Sequence, residues 1–174
     1  MEPAQLEHLR DLATASGLVS DPQIGDGIVY GRSRLPATGD EFTLNLDPED
    51  EDGFTDPATL MASAARFLAM DAAAWRAIID AIAREVEEAV GDVEVIEKTD
   101  LRDDLDIRSV VIFAEVTLLS FAADRQFPDS WIRAQLAEDY EVEDIAVDKR
   151  DEVETVAFDT LDELLDHISA DNSR

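Results

Sequence analysis

Cysteine is absent from this 174-residue chain, so no disulfide framework, thiolate nucleophile or cysteine-based zinc site is available. Lysine is almost absent: Lys98 and Lys149 are its two copies, and the rest of the 14 cations are arginine. Glycine is sparse and scattered. Its seven residues form neither the Gly-x-x-x-x-Gly-Lys nor the Gly-x-Gly-x-x-Gly pattern that cradles phosphate. The two histidines, His8 and His167, fall in terminal helical patterns beside acids, which places them at the surface. A two-histidine metal site would require the termini to meet. No serine sits in a nucleophile elbow. No run approaches ~18 apolar residues, so no membrane-spanning helix is expected. Met1 to Gln5 lacks the basic and apolar regions of a secretory signal, and the expectation is a cytoplasmic protein.

What is abundant is carboxylate. Asp+Glu number 42 against 14 Lys+Arg, which gives a formal net charge of -28 and a pI of about 4.1. A protein that neutralises phosphates needs a basic face, so neither a nucleic acid nor an anionic membrane is expected as a partner. The acidity is not that of a disordered chain, because 45% of the residues are hydrophobic and fall in periodic blocks. On a folded surface of roughly 8,000 Å², the net charges would lie about 17 Å apart, beyond the Debye length of about 8 Å at physiological salt. High salt is therefore compatible with this composition without being demanded by it.

The periodicity predicts the following elements. Pro3 to Ser16 reads as a short amphipathic helix that stops at Gly17, and residues 18–27 read as turn-rich. Ile28 to Tyr30 and Phe42 to Leu46 read as a hairpin with a long irregular turn over 35–40. Residues 47–56 read as a solvated acidic loop ending in a helix start, with Asp56 as cap and Pro57 at the first helical position. Helix follows to about residue 69, and Asp71 caps a second helix over 72–90 that ends at Gly91. In that helix Trp75, Ile78, Ile79, Ile82, Val86 and Val90 form one apolar stripe, so Trp75 is expected in the core. Residues 93–96 read as a short strand and 99–105 as a helical turn capped by Thr99. Residues 109–122 suit two buried strands with a turn near Ala114-Glu115. Runs from Trp131 to Leu136 and from Glu141 to Val147 read as strands, then 153–158 as a strand and 159–168 as a capped helix. The tail over about 170–174 is expected to fray.

Runs of strands separated from runs of helices predict one α+β domain over 1–174, with a mostly antiparallel sheet rather than a βαβ alternation. An N-terminal hairpin and a C-terminal meander would be packed by the long central helix, with short helices at the termini. The glycine-containing hairpin, the acidic loop, the helix bearing Trp75 and the segment Phe127-Pro128-Asp129-Ser130-Trp131 occur in that order over residues 28–148. In this the chain resembles small acidic bacterial α+β families of unknown function, some of them related to toxin-immunity proteins. The resemblance implies no catalytic residues.

Several residues are candidates for chemistry. Asp50, Asp52 and Asp56 around Gly53 are the metal candidates, since hard cations want converging carboxylates at a sharp turn. Setting Gly53 at the sixth position of a calcium loop, however, puts Pro48 and Thr59 where the first aspartate and the bidentate glutamate belong. Asp100, Asp103, Asp104 and Asp106 read as the charged face of a short helix, with a divalent-ion site or an acid/base pair as the other readings. Arg32 and Arg34 read as solvated residues on the hairpin turn. Trp131 is the candidate partner-binding residue.

The expectation is a non-enzymatic protein without catalytic residues or cofactor that binds a basic macromolecular partner, immunity-like or as an acidic mimic of nucleic acid. The rival expectation is a carboxylate-using, metal-dependent enzyme or a small-ligand-binding protein.

Overall fold

The computed structural model of the chain describes residues 3–51, 53–90 and 100–150. The expected strand over 93–96, the cap Thr99, the stop at Gly91, the C-terminal strand and helix with His167, and the frayed tail lie outside these residues. The chain is α+β, and its described residues form four helices and a mostly antiparallel seven-stranded sheet. Among the described residues no helix is long and apolar enough to cross a membrane.

Helix α1 (Pro3–Ser16) leads into β1 (Ser20–Gly25), β2 (Ile28–Arg34) and β3 (Glu41–Leu46). Residues 18–27 therefore hold a strand where turns were expected. Asp26 and Gly27 both adopt positive φ, 51° and 85°, which is the backbone of a two-residue hairpin turn. The strand itself is polar and sits at the sheet edge, where Pro22 costs no ladder hydrogen bond. A bulge between Ser20 and Gln23, with Asp21 at φ 51°, presses β1 onto β2 at Gly31.

After β3 the acidic segment forms a small hairpin of β4 (Glu49–Asp50) and β5 (Gly53–Phe54), whose residues are exposed as expected but are paired rather than forming an irregular loop. Its first acid, Asp47, is only 1% exposed and accepts from the Glu49 amide at 3.0 Å, while its own amide donates to Ile112 O. Helix α2 (Pro57–Leu68) is capped by Asp56, whose Oδ2 accepts from the Thr59 amide at 3.2 Å. Helix α3 (Ala72–Val90) starts where Asp71 Oδ1 accepts from the Ala74 amide at 2.7 Å. Both starts follow the cap positions that the sequence predicts. The short α4 (Leu101–Asp104) is capped by Asp100.

Strands β6 (Asp106–Ile112), β7 (Thr117–Ala123), β8 (Phe127–Leu136) and β9 (Val142–Lys149) follow, each antiparallel to its neighbour. The sheet order is β1-β2-β3-β6-β7-β8-β9, and β3 lies parallel to β6. One helical crossover, β3 through α2, α3 and α4 to β6, is thus embedded in a sheet from which such units were not expected. A parallel neighbour cannot be reached by a tight turn, and the helices span the return.

Strict alternation on β3 buries Phe42, Leu44 and Leu46 on one face. These join Val110, Ile112, Leu119, Phe121, Ile132 and Leu136 in a single core with Leu9, Leu60, Phe67, Ile82 and Trp75 from the helices. Trp75 is 6% exposed. Phe67 is the hub, edge-on to Phe42, Trp75 and Tyr140 at ring-centroid distances of 6.5, 6.3 and 6.1 Å. The opposite face carries the cross-strand row Arg32, Thr43, Ser109, Ser120, Arg133.

A Cβ at Gly31 would lie 2.5 Å from Val19 Cγ1 and 2.7 Å from Ser20 O, and the second of these is backbone. Gly31→Ala is expected to destabilise the protein by about 1–3 kcal/mol in urea unfolding, by forcing β1 off β2.

Candidate functional site

Among the described residues a cleft lies where three elements meet: the turn over 35–40, the first half of α3, and α4. The turn is closed by Leu35 N donating to Asp40 O and Gly39 N donating to Leu35 O, which brings Asp40 to the rim. Helical spacing puts Trp75 and Ile79 on the inward stripe of α3, with Arg76 and Asp80 one residue on along its edge. Asp100 caps α4 and so aims Arg102 and Asp103 at the same hollow, with Leu105 and Ile107 following into β6. The cleft measures about 450 Å³, with a narrow apolar floor of Trp75, Ile79, Leu105 and Ile107.

Its electrostatics centre on Arg102. Nε donates to Asp80 Oδ1 at 2.8 Å, and Nη1 donates to Asp100 Oδ1 at 3.1 Å and to Glu87 Oε1 at 3.2 Å. Asp80 and Glu87 are seven residues apart and share one face of α3, so a single guanidinium spans both. The Arg102 backbone N–H, then its side chain, hold the Asp100 carboxyl below its ordinary value of 3.8. Among the described residues Asp40 accepts from Thr38 Oγ1 at 2.7 Å, and neither Asp40 nor Asp103 pairs with a cation. The rim thus carries four carboxylates against two guanidiniums, those of Arg76 and Arg102.

The residues singled out from sequence are dispersed. Asp50 Oδ1 accepts from the Glu51 amide, Asp56 is occupied as the cap of α2, and Asp52 lies outside the described residues. Among the described residues no three His, Cys, Asp or Glu side chains converge to hold a metal. Asp100, Asp103, Asp104 and Asp106 divide four ways. Asp100 caps, Asp103 lines the cleft, and Asp106 pairs with Arg108 at 2.7 Å. Asp104 has a task no local pattern announces: its carboxylate accepts from the Arg125 and Gln126 amides at 3.0 and 2.8 Å, closing the β7–β8 turn. Arg32 and Arg34 lie in β2 rather than on the turn, and both pair with Glu41, at 3.5 and 2.7 Å. Arg34 first, then Arg32, lower the Glu41 carboxyl from its ordinary 4.5.

Trp131 lies on the sheet face opposite the helices, half-buried. The Arg150 guanidinium stands 4.5 Å from its ring centroid while also bonding Ser130 O at 3.0 Å and Asp124 at 2.7 Å. An arginine of the chain itself thus covers the candidate ring. His8 is exposed.

Comparison of the chain with protein-family models, with curated proteins and with solved structures finds no match.

Two outcomes are expected. Asp104→Ala removes two turn bonds and should cost about 1–3 kcal/mol in urea unfolding, more than Asp103→Ala. Because Asp100 is depressed in the folded state, its contribution is present above pH 3.8 and is lost as pH falls through the lower folded value. Asp100→Asn should therefore flatten the fall of melting temperature below about pH 4.

Proposed function

We propose that this is a non-enzymatic cytoplasmic protein that binds a basic protein partner, in the manner of an inhibitor or an acidic mimic of nucleic acid. The observation that carries this reading is how the charges are arranged. Eight arginines among the described residues are engaged in ion pairs within the chain. Each of these arginines neutralises a carboxylate of the chain itself, and 42 acids against 14 cations still leave a large negative excess facing solvent. Such a field accelerates encounter with a basic surface and repels phosphate, so it acts on rate and partner choice more than on affinity.

The dispersal of the carboxylates supports the same reading over a metal-dependent enzyme. Each of Asp50, Asp56, Asp100, Asp104 and Asp106 serves a backbone amide or an arginine close by. In this reading α3 packs the N-terminal hairpin and the C-terminal meander together and leaves its charged edge to solvent.

Affinity capture with the full chain is expected to recover basic proteins whose association rate falls at least about tenfold between 50 and 500 mM salt. Recovery of neutral partners whose association ignores salt would remove the steering argument.

A further inference from the structure

We infer that the cleft between the 35–40 turn, α3 and α4 is the docking site for one arginine side chain of that basic partner. The inference rests on the reading above and assigns it a place on the molecule. A long basic side chain has an apolar stem and a cationic end, and the cleft offers the matching pair of surfaces. Leu105, partly exposed at its floor, takes the stem, and carboxylates on its rim take the charge. Its volume of about 450 Å³ is ample for one such side chain.

Charge complementarity selects the occupant. Asp80 and Asp100 already share the Arg102 guanidinium, so they fix the far wall of the cleft and are not free. Asp40 and Asp103 come from different elements, the turn and α4, and pair with no cation among the described residues. Two carboxylates at one rim, without a cation partner among the described residues, suit a planar fork with five donors better than a point charge, which favours arginine over lysine. Arg76 is the opposing element. It lines the same cleft without a carboxylate partner among the described residues, so it competes for the positions an incoming guanidinium would take.

The test titrates a short capped peptide containing one arginine, and its lysine counterpart, into the full chain, followed by methyl NMR of Ile79, Leu105 and Ile107. The expected result is a saturable shift confined to these methyls, with arginine tighter than lysine. Asp40→Asn with Asp103→Asn should weaken it about tenfold. Glu49→Gln with Glu115→Gln makes the same change of net charge at the other end of β3 and β6 and should change it less than twofold. Arg76→Gln should strengthen binding by about two- to fivefold, a gain that damage to the fold cannot produce. Equal losses in the two double variants, lysine binding as tightly as arginine, or shifts spread over the whole surface would each overturn the inference. If the cleft is silent while a basic partner is still captured in a salt-dependent way, the cleft assignment fails and the partner reading stands. If no basic partner is captured, the partner reading fails and the inference falls with it, even where the peptide binds as described.

Discussion

The parallel pairing of β3 with β6 is the contact on which the rest of the sheet depends. On one side of it lie β1 and β2, each reached from its neighbour by a short connection, and on the other lie β7, β8 and β9. These are two locally formed antiparallel sheets, and one run of four registered pairs, Thr43 with Ser109 through Leu46 with Ile112, joins them. Side chains reinforce the seam: Asn45 Nδ2 donates to Ser109 Oγ and to Val110 O, both at 3.1 Å. Beyond the strand, Asp47 N continues the pattern by donating to Ile112 O at 3.0 Å. Asn45 and Ser109, joined across the seam, are 64 positions apart in the chain, so the loop-closure cost of the seam falls on the whole crossover. Burial of α2 and α3 offsets that cost. Phe67 touches Phe42 on β3, Trp75 on α3 and Tyr140 at the β8–β9 turn, binding the crossover to both halves of the sheet.

The same crossover positions the cleft. Asp40 enters from the turn before β3, Asp103 and Leu105 from the segment leading into β6, and Trp75 from the helix between. Because β3 and β6 run parallel, the start of each lies at the same end of the sheet, and residues distant in sequence meet there. An antiparallel seam would have put Asp40 and Ile107 at opposite ends. Arg102 locks the arrangement by tying α4 to two turns of α3 through Asp80 and Glu87.

Much of this was legible locally. Asp56-Pro57 and Asp71 announce their helices because a cap is a contact between residues two or three apart, and the Trp75 stripe announces its buried face by period alone. The two buried strands on either side of Ala114-Glu115 follow from their β-branched and aromatic content. The edge strand β1 escapes detection because an edge needs no apolar alternation, and Ser20 to Gly25 shows none. Asp47 and Asp104 were hidden among neighbouring acids of the same chemical type. What separates Asp104 from Asp103 is the position of the Arg125 and Gln126 amides, some 20 residues on, and nothing local encodes it.

By itself, then, the sequence determined the class of the fold, the starts of its main helices, the burial of its apolar stripe and the sign of its field. These depend on composition and on contacts within a few residues. Tertiary structure decided the parallel seam, the small hairpin within the acidic segment, the pairing of Arg32 and Arg34 with Glu41, and which carboxylates are spent on amides and arginines and which are left at a cleft. The physical reason is that a carboxylate's role is set by the donor it meets. In a chain this acidic nearly every donor has several candidate acids in sequence, and only the folded distances choose among them.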